Sequence, residues 1–447
     1  MMSEPRLAQA LGLRECVMIA VGGMMGSAVF GISGMTYAMA GPAVLISWLL
    51  GGLIMLIYSF NIAELATTFP RAGGIYVYPS ETLGKTKAQK VFLGWIAAWS
   101  WLVCVVIGAG FSAIFIAGYL GAVFPGLQQY TVPVGVLWVI LCWYLNIIGI
   151  SQLGKINTVL TILLLLLCLG YICLGIGDIN FSNFSPFFNT GSMGSRGILT
   201  AIPMAMLGYG SVIAIASIAE EIRDPQKIIP KAIGISQFIV VCFYFVMLFV
   251  TFGNLPWQEL APNTPQYFAP IEFAASKFAP GSILPVLISL AAVLAITTTM
   301  LVMIMDAGRI LLALGRDGFL PKAFSSISDK YKTPSFSLTI VAAIAAIIAA
   351  FPAFAQQIVG TGSFTMAIMV ILEVLSLMAL KRNPVKTEGQ FQLRLGSALP
   401  VLAIIAVIIT VSQLDTASIT MSAWLYLIAV IWFAIRYFSN KESFISA

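Results

Sequence analysis

Apolar residues run through this chain in blocks of roughly 20, parted by short stretches that collect most of the charge and much of the proline. At about 1.5 Å of rise per residue, such a block forms a helix long enough to cross the ~30 Å hydrocarbon core of a bilayer. The pattern predicts twelve spans, at 12–35, 40–64, 91–122, 132–150, 156–176, 197–219, 231–253, 282–313, 335–351, 357–380, 397–414 and 419–438. Two of these blocks are interrupted by clustered small residues. The first reads Val21-Gly22-Gly23-Met24-Met25-Gly26-Ser27-Ala28-Val29-Phe30, and the sixth reads Met206-Leu207-Gly208-Tyr209-Gly210-Ser211-Val212. Glycine at this density loosens a helix and frees peptide N–H and C=O groups. Lipid cannot satisfy those groups, so a break survives only where it lines a polar cavity.

Composition agrees with a membrane protein. The chain is 60% hydrophobic and only 9% charged, with a mean hydropathy of +0.99, more apolar surface than a soluble domain can cover. A cytoplasmic N-terminus leaves only Arg196 and Lys277 of the 23 basic residues in loops on the far side. That asymmetry satisfies the positive-inside rule and puts both termini in the cytoplasm. The net charge of +6 thus reports topology, and no nucleic-acid partner is expected. The six cysteines lack CxxC spacing and read as buried, unpaired thiols acting as small apolar residues. Histidine is absent, which removes the commonest metal ligand and proton relay. No metal site or cofactor is expected, and the opening MMSEPRLAQALGLRE carries no cleavable signal pattern. The whole chain reads as one membrane unit, and paired broken spans point to the central site of a secondary transporter. Glycines that merely allow close helix packing would give similar letters.

Three punctuated motifs follow apolar blocks. The second span ends in Ala63-Glu64-Leu65 and leads into Phe69-Pro70-Arg71-Ala72-Gly73-Gly74-Ile75-Tyr76-Val77-Tyr78. The sixth leads into Glu220-Glu221-Ile222-Arg223-Asp224-Pro225 and then Ile229-Pro230. The eighth ends with Arg309 and leads into Gly315-Arg316-Asp317-Gly318. With the Gly26-Ser27 break, these closely resemble the amino acid–polyamine–organocation family of transporters, from about residue 11 to about 382. The resemblance implies an all-α membrane protein with the leucine-transporter-type fold. Spans 1–5 (12–176) and 6–10 (197–382) would form two inverted repeats with broken helices 1 and 6, and residues 397–438 would add spans 11 and 12.

The resemblance also implies a substrate site at the breaks. N–H groups around Ser27, Ala28 and Val29 open the outer half of the first helix, and a helix N-terminus suits a carboxylate. Family members hold the ammonium on carbonyls that correspond here to Gly23, Met24, Leu207 and Gly208. The family's Gly-Ser-Gly reads Gly26-Ser27-Ala28, and Ser211 stands at a usual glycine position unless Gly210 takes that role. Ile213 replaces an acidic residue of some cation-carrying relatives, and Tyr209 matches an aromatic lid; each is also an ordinary packed residue in a bland reading. Leu164 stands where some proton-linked and exchanger relatives carry a lysine.

Thr297, Thr298 and Thr299, with carbonyls near Gly22 and Met25, form a candidate sodium cage, unless the hydroxyls bond back to their own helix. Glu373 lies ~12 Å inside its helix end and is either a proton carrier or a carboxyl bonded to a neighbouring helix. Asp306 and Arg309, three residues apart, are expected to pair. Glu64, Arg71, Glu220, Glu221, Arg316 and Asp317 are assigned to the inner gate or its motifs. The expectation is a prokaryotic carrier of neutral, fairly apolar amino acids in the cytoplasmic membrane, with sodium, proton or exchange coupling. A cationic amino acid or polyamine carrier using Glu373 for the second charge, and a transporter-like sensor, are the alternatives.

Overall fold

Helices form where the apolar blocks run unbroken, and they stop where glycine, proline or capping residues intervene. In the computed structural model, residues 7–439 are described apart from 125, 261–263, 352–354, 386, 393–400, 402, 403, 405, 406, 409, 410 and 413. The helices are α1 (Leu13–Met24), α2 (Ser33–Ala40), α3 (Val44–Thr68), α4 (Gly74–Thr82), α5 (Lys87–Val123), α6 (Thr131–Ile147), α7 (Ile150–Gly175) and α8 (Ser195–Leu207). They continue as α9 (Ala214–Ser217), α10 (Pro225–Asn254), α11 (Pro265–Phe268), α12 (Pro270–Phe278), α13 (Leu284–Arg316), α14 (Ser335–Ala349), α15 (Ala355–Arg382) and α16 (Thr416–Ser439). Local signals set several boundaries. The Thr86 hydroxyl accepts from the Gln89 amide at 3.3 Å, and the Gln89 side chain accepts from the Thr86 amide at 3.3 Å, so a capping box starts α5. Proline at the first position starts α10.

Among the described residues there is no β-strand, only an isolated parallel bridge between Leu11 and Ile222. Among the described residues, eight helical runs are long and apolar enough to cross a membrane. One of them, Leu13–Thr68, is 56 residues long, more than twice a single crossing, and is interrupted at Gly41, where φ is +61°. The expected fourth and ninth spans correspond to the shorter apolar helices α6 and α14. The expected span 397–414 lies largely outside the described residues.

Burial orders the helices. The apolar window of α13 is 78% buried and that of Ser195–Ser217 is 72% buried, against 28% for Ile150–Asp178 and 17% for α16. Thus α13 and the α8–α9 region stand inside, while α7 and α16 present their apolar sides outward. Outward faces also explain a departure from expectation: Cys173 on α7 and Cys242 on α10 are exposed, whereas Cys16, Cys104, Cys142 and Cys168 are buried. All six are free thiols.

Candidate functional site

Both glycine-rich segments are broken, each in its own way. α1 ends at Met24, Met25 leaves helical geometry with ψ +71°, and a five-residue π-helix over Ala28–Ile32 carries the chain into α2. The Gly26 amide donates back to the Met24 carbonyl at 2.8 Å, and the Phe30 amide reaches the Gly26 carbonyl at 3.4 Å. The N–H groups of Ser27, Ala28 and Val29 precede that first bond, so they have no acceptor on their own helix. The second break runs from the end of α8 through a 3₁₀ turn, Gly210–Ile213, to the short α9.

The breaks face each other. A Cβ on Gly23 would lie 2.9 Å from the Ser211 Cβ, and one on Gly208 would lie 3.2 Å from the Ala28 Cβ. At Gly26 a Cβ would overlap the Thr299 hydroxyl, so glycine is required there by close approach. Between the breaks lies a cavity of about 60 Å³. Of the expected site residues, Gly23, Met24, Gly26, Ser27, Ala28, Leu207, Gly210 and Ser211 line it. Gly208, Tyr209 and Ile213 are not in its wall. Tyr209 turns instead toward α3 and α10: its hydroxyl donates to the Trp48 carbonyl at 3.0 Å, and its ring packs 5.1 Å from that of Tyr244. In this structure it packs as a buried aromatic between α3 and α10. Ile213 is buried in the 3₁₀ turn.

Sequence reasoning missed much of the wall. Trp101, Cys104, Val105, Ile107 and Phe111 of α5, Met303 of α13 and Met366 of α15 close the cavity. They are apolar or weakly polar positions within apolar helices, so nothing in their pattern marks them. Ser112 of α5 was also missed; its hydroxyl shares a 2.9 Å hydrogen bond with Ser27. So was Tyr244 of α10, whose hydroxyl donates to the Met24 carbonyl and, at 3.2 Å, to the Gly208 carbonyl. One phenol thereby joins the two broken helices through two of the carbonyls expected to meet an ammonium.

The threonine run divides. Thr298 donates to the Gly22 carbonyl at 2.8 Å and to Ala295 of its own helix at 2.9 Å, and Thr299 donates to Gly22 and Gly23 at 3.2 and 3.0 Å. Thr297 bonds back to the Val293 carbonyl at 2.6 Å and accepts from the Trp138 indole at 2.8 Å. Two of the three hydroxyls therefore face the first break. Leu164 is fully buried, and Gly22 packs so closely that a Cβ would overlap the Thr161 hydroxyl.

The motif residues gather toward the Lys- and Arg-rich end. Arg309 does not pair with Asp306, contrary to the i,i+3 expectation. Its guanidinium holds Glu221 in a two-pronged bond at 3.0 and 3.1 Å, with both side chains 0% exposed. A matched fork from a neighbouring segment satisfies two donors at once, which a carboxylate one turn away on the same helix does not. Asp306 instead accepts from the Trp101 indole at 2.5 Å. Arg316 holds Glu220 at 2.7 and 3.2 Å. Burial raises the Glu220 carboxyl, but the Arg316 bonds and charge outweigh it and hold the group below the ordinary carboxylate range. Arg71 bridges Glu81 at 3.3 Å and Asp317 at 3.2 Å, and Lys381 approaches Glu64 at 3.7 Å. In the Arg71-Ala72-Gly73-Gly74 motif, Gly73 has φ +71° and a Cβ there would meet Ala313 at 2.6 Å. Backbone conformation and close approach both demand glycine.

Residues 11–445 match the family model described as amino acid permease. The methylthioribose transporter of Bacillus subtilis (strain 168) is 26% identical over 415 residues, covering 89% of this chain and 86% of that protein. The branched-chain amino acid permease BcaP of Lactococcus lactis subsp. cremoris (strain MG1363) is 28% identical over 450 residues, 95% of this chain and 94% of that one. Cationic amino acid transporter 9, chloroplastic, of Arabidopsis thaliana is 30% identical over 347 residues, 73% of this chain and 58% of that one. A family match over nearly the whole length, joined to a multi-pass helical architecture, leaves no role for an enzyme. The chain belongs to the amino acid permease family and is a membrane transporter of amino acids.

Proposed function

We propose that the protein carries neutral, largely apolar amino acids across the cytoplasmic membrane by alternating access. The cavity between the two breaks carries this reading: among the described residues its wall holds no carboxylate, lysine or arginine side chain. A second positive charge on the substrate would find no counter-charge there, at a depth where unpaired charge is costly. The substrate carboxylate meets the amides of Ser27, Ala28 and Val29. Its ammonium meets carbonyls of the two helix ends, each of which can accept a second bond beside Tyr244 or Thr299. The side chain lies against α5, Met303 and Met366. The names of the branched-chain permease relatives agree with such a substrate. In this reading the chain has twelve spans, two inverted five-helix repeats and both termini in the cytoplasm of a prokaryotic cell.

The cationic transporters among the relatives favour a second reading, in which Asp306, behind Trp101, balances a positive substrate side chain. Thermal unfolding of the purified protein with each of the twenty amino acids, putrescine and methylthioribose separates the two. Ligand at a hundredfold excess over its Kd adds about 2.7 kcal/mol of stability. Stabilisation by leucine, isoleucine or valine, followed by their uptake into proteoliposomes, is the expected result. Stabilisation by arginine or putrescine alone rejects the neutral reading, and binding without any uptake or exchange identifies a sensor.

A further inference from the structure

Glu64, Glu221, Asp306 and Glu373 are buried, and among the described residues Arg309 is the buried cation. Arg309 gives its donors to Glu221 and to the Met305 carbonyl, and Glu64 has Lys381 nearby. Asp306, which feels the Arg309 charge without pairing with it, and Glu373 remain, both within membrane-depth helices, where an ionised carboxylate without an ion-pair partner is costly. Glu373 is 0% exposed, and neither of its oxygens has a hydrogen-bond partner.

Other polar groups stand unpartnered around it. Tyr58 on α3 donates to the Met369 sulfur at 3.0 Å, and Glu64, further along α3, meets Lys381 of α15. The two helices therefore run in the same direction at this contact. Asn61, one turn past Tyr58, falls level with Glu373, one turn past Met369. Asn61 is fully buried, and both ends of its amide lack a partner. The Tyr78 hydroxyl of α4 is likewise buried without a partner and lies within electrostatic reach of both Glu373 and Asp306. Asp306 has one oxygen on the Trp101 indole, which lines the substrate cavity; its other oxygen makes no hydrogen bond of good geometry among the described residues, and the Ser217 hydroxyl and the Arg309 charge stand near the group. A line of polar groups thus leads from the cavity through Asp306 and Tyr78 to Glu373.

We propose that Asp306, Tyr78 and Glu373, with Asn61 beside them, form a proton site that loads from the substrate cavity and empties at the Lys- and Arg-rich end, so that one proton crosses with each amino acid. Glu373 takes the proton as its carboxylate becomes a carboxylic acid, and the same proton leaves when that end opens. The titratable groups on the elements packed against α15 are Tyr58 and Glu64 of α3, Tyr76, Tyr78 and Glu81 of α4, Lys87, Lys90, Cys104 and Tyr119 of α5, and Tyr426, Arg436 and Tyr437 of α16. α8 brings only Arg196, near its start. Of these, Tyr58 and Tyr78 couple to Glu373.

This inference rests on the amino-acid reading above, so the two are tested separately. In proteoliposomes carrying the wild-type protein, leucine should evoke proton entry, read with a trapped pH dye. An acid-outside gradient of one pH unit should drive about tenfold accumulation, since 1.4 kcal/mol corresponds to tenfold. Glu373→Gln should lose both responses while leucine still raises its unfolding temperature. Glu373→Asp should keep proton entry with a displaced pH profile. Proton-driven accumulation by Glu373→Gln, or leucine flux without proton entry in the wild type, overturns the proposal. Should Glu373→Gln not fold, the Glu373→Asp profile decides, and superposition on the wild type overturns it. If no amino acid binds the wild-type protein, the parent reading is what fails.

Discussion

Gly26 and Gly210 belong to the two breaks but answer to different constraints. A Cβ at Gly26 would overlap the Thr299 hydroxyl and come within 2.6 Å of the Thr299 Cβ, two atoms held by α13. Overpacking of this kind costs about 1–3 kcal/mol, so Gly26→Ala should lower the unfolding temperature. A Cβ at Gly210 would instead meet the Met366 sulfur at 3.4 Å and the Trp101 ring at 3.5 Å, ordinary contacts across the cavity. Gly210→Ala should therefore unfold at the wild-type temperature and shorten the side-chain pocket. One methyl group is worth about 1–3 kcal/mol in such a pocket. Competition binding should show leucine weakened at least tenfold and alanine far less. Equal weakening of both would place Gly210 away from the substrate side chain. Glycines were legible in the sequence because a break needs them locally. Trp101 and Phe111 were not, because an aromatic in an apolar helix reads the same whether it faces lipid, core or cavity.

At the scale of elements, the broken ends of α1 and α8 are held together from outside themselves. Tyr244 of α10 gives its hydroxyl to the Met24 and Gly208 carbonyls, and α13 supplies hydroxyls to Gly22 and Gly23. A buried carbonyl that loses its donor costs about 1–3 kcal/mol. Tyr244→Phe keeps the ring packing against Trp48 and Tyr209 and removes only that donor. Its unfolding temperature should fall. Saturating substrate should restore more stability to it than to the wild type, because the ammonium supplies the missing hydrogens. An unchanged unfolding temperature, or an equal ligand-induced shift, would show that these carbonyls are satisfied in another way. The breaks could be read from letters seven to ten residues long. The tie could not, because Tyr244 lies 220 residues from Met24. The same distance problem produced the one wrong pairing: Asp306 and Arg309 are neighbours in sequence, yet their partners are Trp101, 205 residues away, and Glu221, 88 residues away.

For the whole molecule, charge placement and the ion pairs point to the same end. Arg309–Glu221, Arg316–Glu220, Arg71–Asp317 and Lys381–Glu64 all join residues of the three loop motifs or the end of α15. The N-terminal segment is drawn in beside them, where the Ala10 and Leu11 amides both donate to the Glu221 carbonyl at 3.1 Å. If positive charge is retained on the cytoplasmic side, this is the cytoplasmic end, and it is closed here by paired charges. Single cysteines placed in a cysteine-free background test that orientation. At Ser192 or Ser282, near Arg196 and Lys277, a membrane-impermeant thiol reagent should label intact cells. At Lys85 or Lys330 it should label only after the cells are opened. Labelling at Lys85 in intact cells would invert the molecule and put the ion-paired end outside. Opening that end requires parting Arg309 from Glu221, both wholly buried, and removing one partner of such a pair costs about 3–5 kcal/mol. Water entering the opened end lowers that cost by solvating both charges. Arg309→Met, which leaves Glu221 buried without its cation, should therefore favour the open end. In that variant the cysteine at Ser217, fully buried in the closed arrangement, should react faster in opened cells than it does with Arg309 in place.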